Sequence, residues 1–187
     1  MYDLHSILIQ LKKEDTPLHG VMVRCVRCFY QWLDPTLLEG SALFELWEQE
    51  LELIYGDLRQ RLSPNAKTDT GFLGDRFGFD TPPELPRLLQ SIQTFYSVLI
   101  KFIAWNTLRG ATPEPPLTEL LSGRAFVNRG IRNFCGDDWY IWPLDIWDPA
   151  LETQCEELRA CLEAFDTCPE GSTLSPDSLS RIYETVV

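Results

Sequence analysis

The chain has 187 residues, of which 44% are hydrophobic and 24% are charged, an ordinary balance for a globular protein with its own core. Its 28 acidic and 16 basic residues give a net charge of −12, which argues against a surface broadly suited to phosphate backbones. No apolar run is long enough to span a bilayer, and the start, MYDLHSILIQLKKED, lacks the features of a secretory signal. The sequence therefore predicts a cytoplasmic protein that does not bind membranes.

The first predicted helix begins at a Thr-Pro pair at 16–17, because threonine is a favoured N-cap and proline suits the first helical position. The segment LHGVMVRCVRCFYQWL follows, and an Asp-Pro pair at 34–35 ends it. Ser41 is the predicted N-cap of a second helix. There Leu46 and Trp47 belong to an apolar repeat near 3.6 residues, which is typical of an amphipathic helix.

Residues 63–83 carry three glycines among single apolar residues, the composition of a long, flap-like loop. We expect Phe72, Phe77 and Phe79 to hold this loop against the core. Residues 84–109 are apolar nearly all round, as in a helix that other helices surround. This segment is the predicted central helix.

Beyond a proline-rich connector, LTELLSG and FVNRGIRNFCG indicate two short helices or helical turns. A further helix is predicted after an Asp-Pro pair at 148–149, and a last one after a Ser-Pro pair at 175–176. No stretch alternates between apolar and polar residues as a half-buried strand does. The prediction is therefore an all-α chain, with one irregular domain over residues 1–187 and seven or eight helices around the central one.

The sequence contains no glycine-rich phosphate loop, no nucleophile elbow and no zinc-protease motif, and His5 and His19 are its only histidines. We therefore expect no enzymatic activity, and no catalytic, cofactor-binding or metal-binding residue, in this chain. One alternative stays open, because Cys25 and Cys28 have the C-x-x-C spacing of zinc and redox sites. The other interpretation makes them small apolar residues of the first predicted helix.

The segment GDDWYIWPLDIWDP at 136–149 places aspartates among aromatic residues, as in a glycosidase cleft or a metal site. Under that hypothesis Asp137, Asp138 or Asp145 would carry the chemistry. A pair of catalytic carboxylates must face each other across a cleft, and no histidine, nucleophile or phosphate loop accompanies these three. We rank this hypothesis last.

The same segment is also interpreted as a structural connector between helices. Its predicted anchors are three large apolar side chains and an N-cap, namely Trp139, Trp142, Trp147 and Asp148. Pro143 is expected to keep the connector extended.

A basic cluster lies just before this connector. Its members are Arg124, Arg129 and Arg132, with Asn128 and Asn133, all within residues 124–133. On a helix Arg129 and Arg132 would share a face, and such a cluster suits a nucleic-acid backbone or a protein partner. The alternatives are that the arginines pair with the acidic residues that begin at position 137, or that they solvate one face. The predicted contact residues are Arg124, Asn128, Arg129 and Arg132.

The acidic residues are concentrated in residues 137–170, where ten acids accompany one base, Arg159. A separate hypothesis is therefore an acidic protein-interaction module, or an inhibitor that imitates the charge of DNA. Dense surface acids are also what a solvated helix carries.

Five segments together carry a resemblance to a known family. They are LFELWEQELELIYG (43–56), TFYSVLIKFIAWNTL (94–108), FVNRGIRNF (126–134), WYIWPLDIWDPALE (139–152) and LSPDSLSRIYETVV (174–187). In this order they resemble the helical region that precedes the catalytic domain of large adenine-specific DNA methyltransferases. Those enzymes belong to restriction-modification and phage-defence systems, and the resemblance covers residues 40–187.

The catalytic domain of that family carries a glycine-rich loop for S-adenosylmethionine and an Asn/Asp-Pro-Pro-Tyr/Phe motif. This sequence has neither, since DTPPE at 80–84 interrupts the acid and the prolines and lacks the aromatic residue. The resemblance implies a non-catalytic helical module that docks a methyltransferase or nuclease partner and helps to position DNA. S-adenosylmethionine would belong to the partner or to a missing domain. Because the chain ends inside a predicted helix at Val187, we expect a truncated or split product.

Overall fold

The protein is all-α in a computed structural model, as predicted. The structure describes residues 4–33, 45–47, 49, 74–109, 112–132, 134, 141–145 and 148–164, and within these ranges there is no strand. The α-helices are α1 (Leu4–Lys12), α2 (Pro17–Trp32), α3 (Leu85–Arg109), α4 (Leu117–Leu121), α5 (Arg124–Val127) and α6 (Pro149–Glu163). A 3-10 helix spans Trp142–Leu144. The helix predicted at 175–187 lies outside the described residues.

The helix α3 occupies the middle of the core, and it begins one residue after the predicted start. It packs against α2, α4 and α6, while α2 packs against α1, α3 and α6. Along α3, Leu88, Ile92, Phe95 and Leu99 are fully buried. Apolar residues on more than one face of α3 are buried because neighbours lie on several sides, which is what the nearly all-round apolar pattern predicted.

The helix α2 begins where the sequence predicted. Thr16 has an extended backbone, and its Oγ1 accepts a hydrogen bond from the His19 amide at 3.2 Å. Before it lies α1, which was not predicted from the sequence, although Ile7 and Leu11 are fully buried at a spacing of one helical turn. The Thr16 hydroxyl lies 2.9 Å from the Lys13 carbonyl oxygen, so the same residue also ties the end of α1 to α2.

The second predicted helix is described only at residues 45–47 and 49, all of which are helical. Trp47 is buried, as predicted, but Leu46 is 49% exposed. The assignment of Leu46 to the apolar face was therefore wrong, since adjacent helical residues point about 100° apart and Trp47 takes the inward direction.

The described end of the predicted flap is held against α2. Phe77 is fully buried, and the Phe79 ring packs edge-on against Tyr30, with 4.8 Å between ring centroids. The Arg27 guanidinium donates to the Gly78 carbonyl oxygen at 2.8 Å and lies 5.7 Å from the Phe79 ring. The anchoring role predicted for Phe77 and Phe79 is confirmed, whereas residues 63–73, with Phe72, lie outside the described residues.

Arg87 joins the start of α3 to the end of α2. Its Nε donates to the Tyr30 carbonyl oxygen at 2.6 Å, and its Nη2 donates to that of Gln31 at 3.2 Å. The guanidinium also lies 4.2 Å from the centroid of the Tyr30 ring. A cation that satisfies the last carbonyl groups of a helix stabilises that end, so Arg87 fixes the angle between the two helices.

Candidate nucleic-acid or partner surface

Trp142, the described tryptophan of the connector, has a structural role. Its side chain is 4% exposed, and its Nε1 donates to the buried Thr94 Oγ1 on α3 at 2.9 Å. Its ring meets Phe29 of α2 edge-on, with 5.8 Å between centroids. The predicted anchor is therefore confirmed at Trp142, while Trp139 and Trp147 lie outside the described residues.

Asp148 caps α6, as predicted. Its Oδ1 accepts a hydrogen bond from the Ala150 amide at 2.7 Å, and its own backbone is extended. The prediction that Pro143 keeps the connector extended was wrong, because Pro143 lies in the 3-10 helix. Proline at the second helical position loses no hydrogen bond, since the first amides of a helix lack partners within it.

The carboxylates that suggested an active site are only partly described. Asp145 is exposed and lies at the end of the 3-10 helix, and Asp137 and Asp138 lie outside the described residues. Within the described ranges, no group of three or more His, Cys, Asp or Glu side chains is arranged to hold a metal ion. The described part of the connector therefore positions α6 and presents no clustered carboxylates.

Cys25 and Cys28 lie on α2, and Cys155 lies on α6, the helix that packs against it. The buried Cys25 thiol donates to the Gln154 carbonyl oxygen at 3.6 Å. Burial raises the pKa of Cys25 well above its usual value and raises the pKa of Cys155 to about 12. Burial and the nearby Asp148 carboxylate raise the pKa of Cys28 as well. A raised pKa disfavours the thiolate, which is the reactive and metal-binding form. These pKa shifts therefore favour the interpretation of the cysteines as apolar packing residues.

The predicted contact residues lie at α5 and the turn that follows it, which we call the arginine corner: Arg124, Asn128, Arg129 and Arg132. All four are exposed. The helix α5 buries Ala125 and Phe126 on its inner side, and Val127 is 43% exposed. The corner therefore presents an outward surface of three arginines, an asparagine and one apolar side chain.

The sequence left open a short helix or a helical turn here, and the structure shows a turn after Val127, so Arg129 and Arg132 do not share a helical face. The helix ends at Val127, and Gly130 adopts a left-handed backbone with φ of 79°. The amides of Arg129 and Ile131 both donate to the Phe126 carbonyl oxygen, at 2.9 and 3.1 Å. Glycine takes this conformation without steric cost, and the resulting tight turn, rather than a helix, carries the arginines.

The arginine corner packs on a cluster of aromatic side chains. Phe126 is fully buried and lies edge-on to Trp105 of α3 at 5.8 Å, and 4.5 Å from the ring of Phe134. Arg129 donates through Nη2 to the Thr112 hydroxyl, and its guanidinium lies 5.9 Å from the Trp105 ring. The hydrogen bond and the cation–π contact orient this exposed side chain. No pattern in the sequence indicates the role of Thr112.

Most of the other described bases are engaged within the chain. Arg24 pairs with Glu157 at 2.7 Å, and Arg159 pairs with Glu156 and with Glu114, the latter at 3.4 Å. The buried Lys101 donates through Nζ to the Leu121 carbonyl oxygen at 2.9 Å. Arg27 and Arg87 bind backbone carbonyl groups, as described above.

Arg124 and Arg132 differ from these bases. Across the described ranges, neither side chain makes a hydrogen bond or an ion pair. Lys12 and Lys13 are exposed in the same way, but Glu14 and Asp15 follow them directly, so their charge is balanced locally. Arg124 and Arg132 are therefore exposed positive charges without an ion pair among the described residues, on a chain of net charge −12.

Comparisons with protein-family models, curated proteins and solved structures gave no match to this chain. None of the helices in the described ranges combines the length and the apolar character needed to cross a membrane. The geometry and charge of the arginine corner are thus the main structural observations that bear on function.

Proposed function

We propose that the chain is a non-catalytic helical module of a DNA-modification or phage-defence system, which docks a methyltransferase or nuclease subunit and helps to position DNA. The observation that carries the proposal is the arginine corner, with three exposed arginines and Asn128 on a fixed turn of an otherwise acidic chain. The resemblance of residues 40–187 to the helical region of adenine-specific DNA methyltransferases supports the same function. S-adenosylmethionine would then bind to the partner subunit.

The reactive residue types among the described residues favour a non-catalytic role. His19 is 6% exposed, and burial lowers its pKa. The thiols of Cys25 and Cys155 are buried, which raises the pKa of each, and Asp145 is exposed on the connector. A general base or nucleophile needs a matched pKa and an orienting partner at an accessible position, and these residues do not combine those properties.

The alternative, an acidic interaction module or a DNA-mimicking inhibitor, has less support. It would use the glutamates of α6, of which Glu152 and Glu163 are exposed. Glu157, however, pairs with Arg24, and Glu156 pairs with Arg159. Two of the four glutamates are thus partly neutralised within the chain, which reduces the negative surface that a basic partner would meet.

The proposal is tested by co-expressing the full chain with a candidate methyltransferase or nuclease subunit from the same genome, with a tag on that subunit only. We expect the two to co-purify and to elute together from a sizing column. A parallel expression with an unrelated acidic helical protein controls for nonspecific capture. Separate elution at micromolar concentration would contradict docking.

A further inference from the structure

We infer that the arginine corner binds the sugar-phosphate backbone of duplex DNA, with Arg124, Arg129 and Arg132 each neutralising one phosphate. The inference rests on the proposed function, and it adds the part of the DNA that this surface contacts. Three observations support it. Arg124 and Arg132 have no partner among the described residues, contacts within the chain orient Arg129, and the chain as a whole is acidic.

The first observation concerns Arg124 and Arg132. A guanidinium group offers five N–H donors in a planar fork that matches the oxygens of a phosphate. In the described part of the chain neither group binds an acid or a carbonyl, whereas Arg24 pairs with a carboxylate. The donors of Arg124 and Arg132 are therefore available to an external anion.

The second observation concerns Arg129, which lies between these two in the sequence. Its hydrogen bond to Thr112 and its position over Trp105 restrict the side chain before any ligand arrives. An arginine that is already oriented loses less conformational entropy on binding than a mobile one. The Arg129 side chain is therefore oriented before DNA binds.

The third observation is the charge of the rest of the molecule. The net charge of −12 repels a polyanion from most orientations, and Glu152 and Glu163 are exposed on α6. Repulsion of this kind selects the approach in which uncompensated positive charge faces the DNA. Among the described residues, Arg124 and Arg132 offer such charge, and both lie in the arginine corner.

The form of α5 favours the backbone over the bases. The helix has four residues, which is short for a helix that reads base edges along the major groove. Arginine and asparagine are among the side chains that contact phosphates in protein–DNA complexes, and such contacts carry no sequence information directly. Asn128 is exposed beside the arginines and supplies the amide for such a contact.

The test measures how salt changes the binding of the full chain to a short fluorescein-labelled duplex, by fluorescence anisotropy. Three phosphate contacts predict that Kd rises about 40-fold between 50 and 200 mM salt, since the logarithmic slope is about 0.9 per contact. The double variant Arg124→Gln/Arg132→Gln retains one contact, so its Kd should rise only about 3- to 4-fold over the same range.

The matched control is Lys12→Gln/Lys13→Gln, which removes the same charge from exposed positions and should keep the 40-fold dependence. Thermal melts of both variants verify folding, because all four substituted side chains are exposed. Equal salt dependence of the two variants would overturn the inference. So would the absence of binding by the wild-type chain at about 100 µM, the weak end of nonspecific DNA affinity.

Two results separate the inference from the proposed function. If the chain co-purifies with the subunit and Arg124→Gln/Arg132→Gln abolishes that complex without changing DNA binding, the corner is a protein interface and the inference fails alone. If the chain binds DNA as predicted but never forms the complex, docking fails and the DNA contact stands.

Discussion

Replacing Trp142 with alanine tests whether the tryptophan connector is part of the core. The substitution removes a side chain that is 4% exposed. It also removes the edge-on contact with Phe29 and the hydrogen bond from Nε1 to Thr94 Oγ1. The Thr94 hydroxyl keeps its bond to the Gln90 carbonyl oxygen at 2.8 Å, so it loses only the partner from which it accepts.

The expected cost follows from these contacts. Tryptophan-to-alanine changes in cores cost about 3–5 kcal/mol, a range that covers the lost area, the cavity and the lost hydrogen bond. At about 2–4 °C per kcal/mol for a chain of this size, a loss of about 4 kcal/mol lowers Tm by about 8–16 °C. Trp142→Phe keeps a ring near Phe29 and loses the indole donor. Its free energy of unfolding should therefore lie between that of Trp142→Ala and that of the wild type.

The assay is urea unfolding followed by circular dichroism, with the free energy of unfolding taken from the midpoint at a constant slope. The control is Asp145→Asn, at an exposed position of the same connector. Its free energy of unfolding should lie within about 0.5 kcal/mol of the wild-type value. If Trp142→Ala destabilised the chain by less than about 1 kcal/mol, the core role of the connector would be refuted.

Three further predictions concern single residues. Asp148→Ala should cost about 1 kcal/mol in urea unfolding through loss of the α6 cap, and Asp148→Asn only a few tenths; equal costs would exclude capping. Burial holds the pKa of His19 below the usual 6.5, so the unfolded chain binds the proton more readily and stability falls as the pH drops below that value. His19→Gln should flatten this fall between about pH 7 and pH 5, and an unchanged slope would contradict the assignment. Cys25 and Cys155 should resist iodoacetamide in native buffer and react after unfolding, as mapped by mass spectrometry; rapid native alkylation would refute their burial.

Features fixed by neighbouring residues were predictable from the sequence. The caps at Thr16 and Asp148 each depend on a side chain and an amide two or three residues later. The helix α3 followed from an apolar pattern over 25 residues. Local rules of this kind need no knowledge of the rest of the fold.

Features that join distant residues were not predictable. Arg129 meets Thr112 across 17 positions, Arg27 meets Gly78 across 51, and Cys25 meets Gln154 across 129. These contacts exist only after the helices have packed, and no local pattern encodes them. The sequence therefore identified the four residues of the arginine corner but not the contacts that brace it.

Two local features had signals in the sequence. Gly130 marks the end of a helical segment, and it decides between the short helix and the helical turn that were both predicted there. The helix α1 was missed because its apolar stretch is short, although Ile7 and Leu11 have the spacing of one turn.

The most direct measurement of the central claim is adenine methylation, or cleavage, of host DNA by the co-expressed subunit in the presence and absence of this chain. We expect activity that depends on the chain, weakens with Arg124→Gln/Arg132→Gln and survives Lys12→Gln/Lys13→Gln. Equal activity of the subunit with and without the chain would contradict it.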